Sequence, residues 1–218
     1  MAPAARPRTA AIVVAGGRGE RFGAPKQFMS VGSSRLVDLA VVAASSVCDF
    51  VVVVLPGDRV WDGPEVGASV TGGASRSESV RAGLRALPAD VEIVAVHDAA
   101  RPLAPPGLFE LVLDTVRAGA DAAVPALPIT DTVKRVVGSE AVETLDREGL
   151  VAVQTPQAFR VDALRAAHAD GGDGTDDAAL VEAAGGKVVV VPGDTRNLKV
   201  TNVADLQLVE TLMGADAR

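Results

Sequence analysis

Positive charge is scarce in this chain, and cysteine is scarcer. Twenty-one Lys and Arg stand against 28 Asp and Glu, a formal charge of −7 with a sequence pI near 4.9. A general nucleic-acid binder shows a basic face and a high pI, so that class is excluded. One cysteine, Cys48, rules out an internal disulfide and leaves stability to the core. Long apolar runs are missing too. The longest, such as Phe50–Leu55, are six residues, whereas a membrane-spanning helix needs about twenty. Gly and Pro, at 22 and 13 residues, are too few and too scattered for a collagen-like or low-complexity chain.

What is present matches a soluble globular protein: 48% hydrophobic and 22% charged over 218 residues. The first eight residues, with Arg6 and Arg8, read as a disordered leader. The apolar stretch after them, Ala10–Ala15, meets Gly16-Gly17 too soon to be a signal-peptide core, so the expected location is the cytoplasm.

Short β-rich runs alternate with amphipathic stretches. Ala10–Ala15, Phe50–Leu55, Val91–His97, Asp121–Ala126 and Lys187–Val191 are nearly unbroken apolar runs, as in strands buried on both faces of a parallel sheet. Helices are expected between them. Arg35–Val47 carries a stripe of Leu36, Leu39, Ala40 and Ala43, and Ser77–Leu87 one of Val80, Leu84 and Leu87. Leu108–Val116 starts near Pro105-Pro106, Val161–Ala169 follows later, and Val203–Met213 comes after Asn202 as N-cap. The pattern predicts one α/β domain over residues 9–214, Rossmann-like in its three layers, with a mostly parallel sheet.

Residues 128–151 break that pattern. Thr132–Val137 and Ala141–Leu145 have strand character and flank a turn at Gly138-Ser139, an inserted β-hairpin. It has few apolar residues to bury and needs a partner surface. The pattern leaves open whether that surface is the chain's own domain or a second subunit reached by a dimerisation arm.

The first strand ends in a run from Ala15 to Gln27. Gly16, Gly17 and Gly19 let backbone N–H groups approach a ligand closely, a geometry that suits phosphate oxygens at a strand's carboxyl end. The spacing fits neither a Walker A loop nor a dinucleotide fingerprint, whose last glycine would fall on Phe22. The run supplies Arg18, Arg21 and Lys26 against one acid, Glu20. Lys26 is one of only four lysines in the chain, beside Lys134, Lys187 and Lys199.

That run, A-G-G-x-G-x-R-F-x-x-P-K-Q-F, resembles the signature loop of the sugar nucleotidyltransferases. Further segments occur in the family order: Gly72–Val80, Val96–Pro102, Asp131–Lys134, Asp146–Leu150, Gln154–Phe159, Thr175–Ala178 and Asn197–Thr201. Together they resemble the 2-C-methyl-D-erythritol 4-phosphate cytidylyltransferases. The resemblance implies a reaction of CTP with methylerythritol phosphate, with Mg²⁺ bound mainly through the CTP phosphates. By carry-over, Arg21 and Lys26 would stabilise charge at the α-phosphate, and Arg147 and Lys199 would hold the sugar phosphate. Ala15, Gly16, Gly17 and Gly19 would contact CTP, with Gly73 and Ser79 reading cytosine. Asp98, Ala99 and Arg101 would lie where nucleotide and second substrate meet, with Thr132 and Thr175 facing the latter. The hairpin would cross to the other subunit of a homodimer, so that Thr132 and Arg147 complete the partner's site. Ala74 departs from an acidic residue that some relatives use on the cytosine amino group.

The chemistry suits these residues. The nucleophile, a phosphate monoester, is already anionic near neutral pH, its second pKa being about 6. The obstacle is repulsion between two anions, and the remedy is positioned positive charge. Two other readings compete. A ribitol 5-phosphate cytidylyltransferase would share the nucleotide loop, and a noncatalytic nucleotide-binding module would have lost cations such as Arg21, Lys26 and Lys199. Outside the motifs, His97 reads as a packed strand-end residue, His168 as a surface residue, Asp176-Asp177 as a helix start capped by Thr175, and Cys48 as buried and inert.

Overall fold

A strand with no polar residue for an outer face must have both faces covered, and the chain builds its centre that way. The computed structural model describes residues 6–17, 25–57, 59–174 and 176–216. In chain order the elements are β1 (Arg8–Val14), a 3₁₀ turn (Lys26–Phe28), β2 (Ser30–Val31), β3 (Ser34–Arg35), α1 (Leu36–Ser45), β4 (Phe50–Leu55), β5 (Ala68–Thr71) and α2 (Arg76–Arg85). There follow β6 (Val91–Asp98), α3 (Pro106–Arg117), β7 (Ala122–Pro128), β8 (Val133–Val137), β9 (Glu140–Leu145), β10 (Val151–Val153) and β11 (Gln157–Arg160). The chain ends with α4 (Val161–Ala167), α5 (Asp177–Ala183), β12 (Val188–Pro192) and α6 (Val203–Asp216).

The main sheet runs β5-β4-β1-β6-β11-β7, with β10 and β12 also paired to β7. Strands β1, β4, β5 and β6 are mutually parallel, and Ile12 in β1 lies between Val52 and Val96. Side chains alternate across this sheet. Val13 and Val53 face a core built with Val37, Val41, Phe109 and Leu113 of α1 and α3. Ile12 and Val52 face the opposite core, built with Val80, Leu164 and Val181 of α2, α4 and α5. The result is the expected three-layer α/β domain. Fully buried side chains such as Ile12, Phe109 and Leu113 each contribute about 1.5–3 kcal/mol. Helix α2 sits so close to β1 that a Cβ at Gly83 would lie 2.6 Å from Ile12.

Several details differ from the sequence reading. Helix α1 is apolar nearly all round, and the stripe it buries is Leu36, Val37, Ala40, Val41 and Ala44. Strands β5, β10 and β11 are additions to that reading, and β11 runs antiparallel between β6 and β7. Strand β1 takes in Arg8, the last residue of the expected leader, and the Arg8 guanidinium pairs with Asp90 at 2.6 Å. The arm is also shorter than 128–151. Pro128 still belongs to β7 and pairs with Val151 of β10, so the main sheet holds both ends. What projects is a β8–β9 ribbon turned at Gly138, whose φ of 61° suits glycine. Apart from Val133 and Leu145, all of its strand residues are exposed, Val136, Val137 and Val142 included. The Trp61 indole N–H donates to the Pro64 carbonyl at 2.8 Å, with Arg35 over the ring, and packs on the α1 side of the sheet. Cys48 is buried, which pushes its thiol up to about 12 and keeps it protonated.

Candidate active site

The carboxyl ends of β1, β4 and β6 lie side by side, and the loops leaving them form the site. After β1, the Ala15 N–H continues the ladder to the Val54 carbonyl at 2.8 Å. The chain then enters the glycine run. Gln27, buried in the 3₁₀ turn, donates from Nε2 to the carbonyls of Ala15 at 2.6 Å and Gly17 at 2.7 Å. Those two bonds join the start of the run to the turn that carries Lys26. Among the described residues a Cβ at Gly17 would meet nothing within 4 Å, which leaves that side of the run open to a ligand. Arg18, Gly19 and Arg21 lie outside the described residues.

The loop from β5 into α2 closes over the same strand end. The Ser79 hydroxyl donates to the Ser75 carbonyl at 3.0 Å and accepts the Gly73 N–H at 3.2 Å. Cβ atoms at Gly16 and Gly72 would come within 3.1 and 2.6 Å of that oxygen, so glycine at both positions lets the two loops meet around one serine. Ser75 caps α2 by accepting the Glu78 N–H, and Glu78 in return accepts the Ala74 N–H at 2.6 Å. Ser79 therefore shapes the loop, and the Ala74 amide is already taken.

At the end of β6 stands Asp98. Its carboxylate accepts from Lys199 Nζ at 2.7 Å and from Arg76 Nε at 3.3 Å. Burial alone would push its pKa up, but Arg76 and Lys199 together hold it well below the usual carboxylate range. Beneath it, the Asp98 N–H donates to the Thr155 hydroxyl at 3.0 Å, and Thr155 lies 3.2 Å from His97 Nδ1. His97 Nε2 is 3.0 Å from the Arg101 carbonyl. This chain of bonds assigns a neutral imidazole with its proton on Nε2, and burial accordingly lowers the His97 pKa to about 4. As expected, His97 is packed, fully buried against Phe109.

Residues 194–200 form a strap along this end. Arg101 Nη1 donates to the Asn197 carbonyl at 2.7 Å, buried Asn197 donates to the Thr155 carbonyl at 2.8 Å, and the Val200 N–H donates to the Ala100 carbonyl at 2.8 Å. Arg101 thus braces the wall with its guanidinium, and burial lowers its pKa. Ala99 is buried and spends its N–H on the Val14 carbonyl. Gln154, Thr155 and Asn197 fall within the family segments, but no role attached to them, because their function is visible only through partners 40 to 96 residues away.

The remaining site residues stand apart. Thr132 and Arg147 are exposed at the base of the ribbon, where Arg147 donates to the Thr130 carbonyl. Among the described residues no hydrogen bond joins either one to Asp98 or Lys199. Thr175 lies outside the described residues. The cap of α5 is Asp176, which accepts the Ala179 N–H at 2.9 Å. His168 is not a surface residue: it is buried at the end of α4, with Nε2 3.0 Å from buried Asp177. Among the described residues, no group of three or more His, Cys, Asp or Glu is placed to hold a metal ion. No described helix is long and apolar enough to cross a membrane.

A mostly parallel sheet with a glycine run after its first strand, and with lysine and arginine gathered at neighbouring strand ends, fits an α/β nucleotidyltransferase. Comparison with known proteins sharpens the class. Residues 9–215 match the family model for IspD, 2-C-methyl-D-erythritol 4-phosphate cytidylyltransferase, and the chain belongs to that family. It is 47% identical over 214 residues to the Nocardia farcinica 2-C-methyl-D-erythritol 4-phosphate cytidylyltransferase, covering 93% of each chain. It is 46% identical to the Frankia casuarinae protein of the same name, over 97% of this chain and 83% of the other. The crystal structure of the Thermus thermophilus enzyme superposes with a TM-score of 0.82 at 35% identity, over 94% of this chain and 98% of that one.

Proposed function

We propose that the chain joins CTP to 2-C-methyl-D-erythritol 4-phosphate, giving 4-diphosphocytidyl-2-C-methyl-D-erythritol and pyrophosphate, a step in non-mevalonate isoprenoid synthesis. One observation carries the reading. Lys199, 2.7 Å from Asp98, is held at the β6 end beside the glycine run that leaves β1. A cation fixed between two strand ends suits an anion attacking a polyanion.

The alcohol's phosphate oxygen forms a bond to the CTP α-phosphorus while the bond from that phosphorus to the β-phosphate bridging oxygen breaks. The electron pair departs with pyrophosphate, and no proton need move. Backbone groups of Gly16, Gly17 and Gly19 cradle the triphosphate, Ala15 anchors the start of that run with its N–H on the Val54 carbonyl, and Arg21 and Lys26 offset charge growing at the α-phosphate. The loop at Gly73, shaped by Ser79, takes the cytosine. Lys199, oriented by Asp98, receives the second phosphate together with Arg147. Ala99 and Arg101 brace that side, and the family resemblance assigns Thr132 and Thr175 to the second substrate.

Mg²⁺ fits this scheme as a passenger of CTP, because it keeps several waters and favours phosphate oxygens. The carboxylate at the site, Asp98, already has Arg76 on one oxygen and Lys199 on the other. When bound, the ion neutralises phosphate charge.

The exposed ribbon supports a homodimer. Val136, Val137 and Val142 are uncovered on a two-stranded ribbon, which is marginal by itself in water. On a second subunit it would bring Thr132 and Arg147 to the neighbouring site. The free thiol of Cys48 and the use of CTP support a cytoplasmic location. The test is pyrophosphate release from CTP with each alcohol phosphate in turn. Turnover with methylerythritol phosphate is expected, and a preference for ribitol 5-phosphate would overturn the assignment.

A further inference from the structure

We propose that Asp177 and His168 are positioning residues that set Lys199 for the second substrate through a continuous line of hydrogen-bonded side chains. The inference rests on the cytidylyltransferase reading above. The line begins at His168 Nε2, 3.0 Å from Asp177 Oδ1. Asp177 Oδ2 then accepts from Arg76 Nη1 at 2.6 Å, and Arg76 Nε reaches Asp98 Oδ1 at 3.3 Å. Asp98 Oδ2 finally accepts from Lys199 Nζ at 2.7 Å.

Burial gives the line a direction. The side chains of His168 and Asp177 are 2% and 0% exposed, those of Arg76 and Asp98 26% and 13%, and that of Lys199 45%. The buried end cannot drift, whereas the exposed end can meet a substrate. A buried carboxylate is costly unless its oxygens are paired, and Asp177 has a separate partner for each. A guanidinium is planar and rigid, so fixing one nitrogen fixes the direction of the others. Asp177 therefore orients Arg76, and through it the oxygen of Asp98 that is left to Lys199.

His168 supplies the first constraint. Nε2 faces the carboxylate of Asp177, and Nδ1 is buried and without a partner among the described residues. An unsatisfied ring nitrogen at the root of the line is a cost. It is offset by the restraint that Nε2 imposes on Asp177.

A purely structural role would lower stability and leave the balance between the two substrates unchanged. A positioning role moves that balance. The experiment assays full-length wild type, Asp177→Asn, His168→Leu and His168→Gln with CTP and methylerythritol phosphate, with calorimetric CTP binding and thermal melting of each variant. Asp177→Asn should raise the KM for methylerythritol phosphate about tenfold, with CTP affinity close to wild type. His168→Leu should shift the same parameter in the same direction, and His168→Gln, which keeps a donor near Nε2, should recover it. Wild type inactive on methylerythritol phosphate would defeat the functional reading itself. Active wild type with folded His168→Leu and Asp177→Asn of unchanged KM would defeat the inference alone, as would equal weakening of both substrates. If Asp177→Asn does not fold, the two His168 variants decide the matter.

Discussion

The side-chain nitrogen of Gln27 lies 2.6 Å from the carbonyl of Ala15, so a residue of the 3₁₀ turn holds the exit of β1. Its second bond, to Gly17, puts the first part of the glycine run under the same control. Gln27→Leu removes both donors and leaves two carbonyls without them. The expected loss is about 1–3 kcal/mol of stability, read by urea denaturation, with a rise in the KM for CTP. Unchanged CTP kinetics would show that the run keeps its shape unaided.

Lys26 follows Pro25 in that turn, beside the proposed triphosphate cradle. Lys26→Ala should lower kcat by about 100-fold or more, the scale for losing one preorganised charge-stabilising group. CTP binding, measured by calorimetry, should fall much less. Turnover at the wild-type rate would remove Lys26 from the reaction.

His97 makes folding stability depend on pH. Its pKa falls from 6.5 to about 4 in the folded chain because burial disfavours the imidazolium. Between those values the unfolded chain binds the extra proton, so stability is full above about pH 6.5 and declines as pH falls towards 4. The difference is about 3 kcal/mol at 1.36 kcal/mol per pKa unit. Asp98, whose pKa is lowered, acts in a different window: its contribution is lost only as pH drops below the ordinary carboxylate range. Denaturant midpoints measured from pH 7.5 to 4 should slope downward for wild type and more gently for His97→Asn. Parallel slopes would refute the assignment.

Deleting residues 132–145 should yield monomers without activity, because the exposed valines of the ribbon and Thr132 would leave together. Sedimentation and the pyrophosphate assay settle this jointly. An active monomer would show that each site is complete within one chain.

Much of the architecture was legible because strands such as Phe50–Leu55 are buried on both faces and leave no polar residue to disguise them. Ala68–Thr71 and Gln157–Arg160 were not legible. Each is four residues of mixed polarity, and only pairing with β4, or with β6 and β7, makes it a strand. The site divides in the same way. Glycines and cations cluster in sequence and announced themselves, whereas Asp177 meets Arg76 from 101 positions away. Helical spacing placed His168 at an outer turn, but it could not foresee that α5 would fold over it. The α5 cap fell on Asp176 because either of two adjacent polar residues could start the helix, and only the backbone extension at Asp176 decides.

Asn197 joins segments that are remote in the chain: its side chain holds the Thr155 carbonyl, and its own carbonyl receives Arg101 from 96 residues earlier. During synthesis the parallel strands β5, β4, β1 and β6 can assemble while Asn197 is still inside the ribosome. Lys199 emerges later still, so the role proposed for it makes the strap the last part of the site to be completed, after the strands that carry the rest.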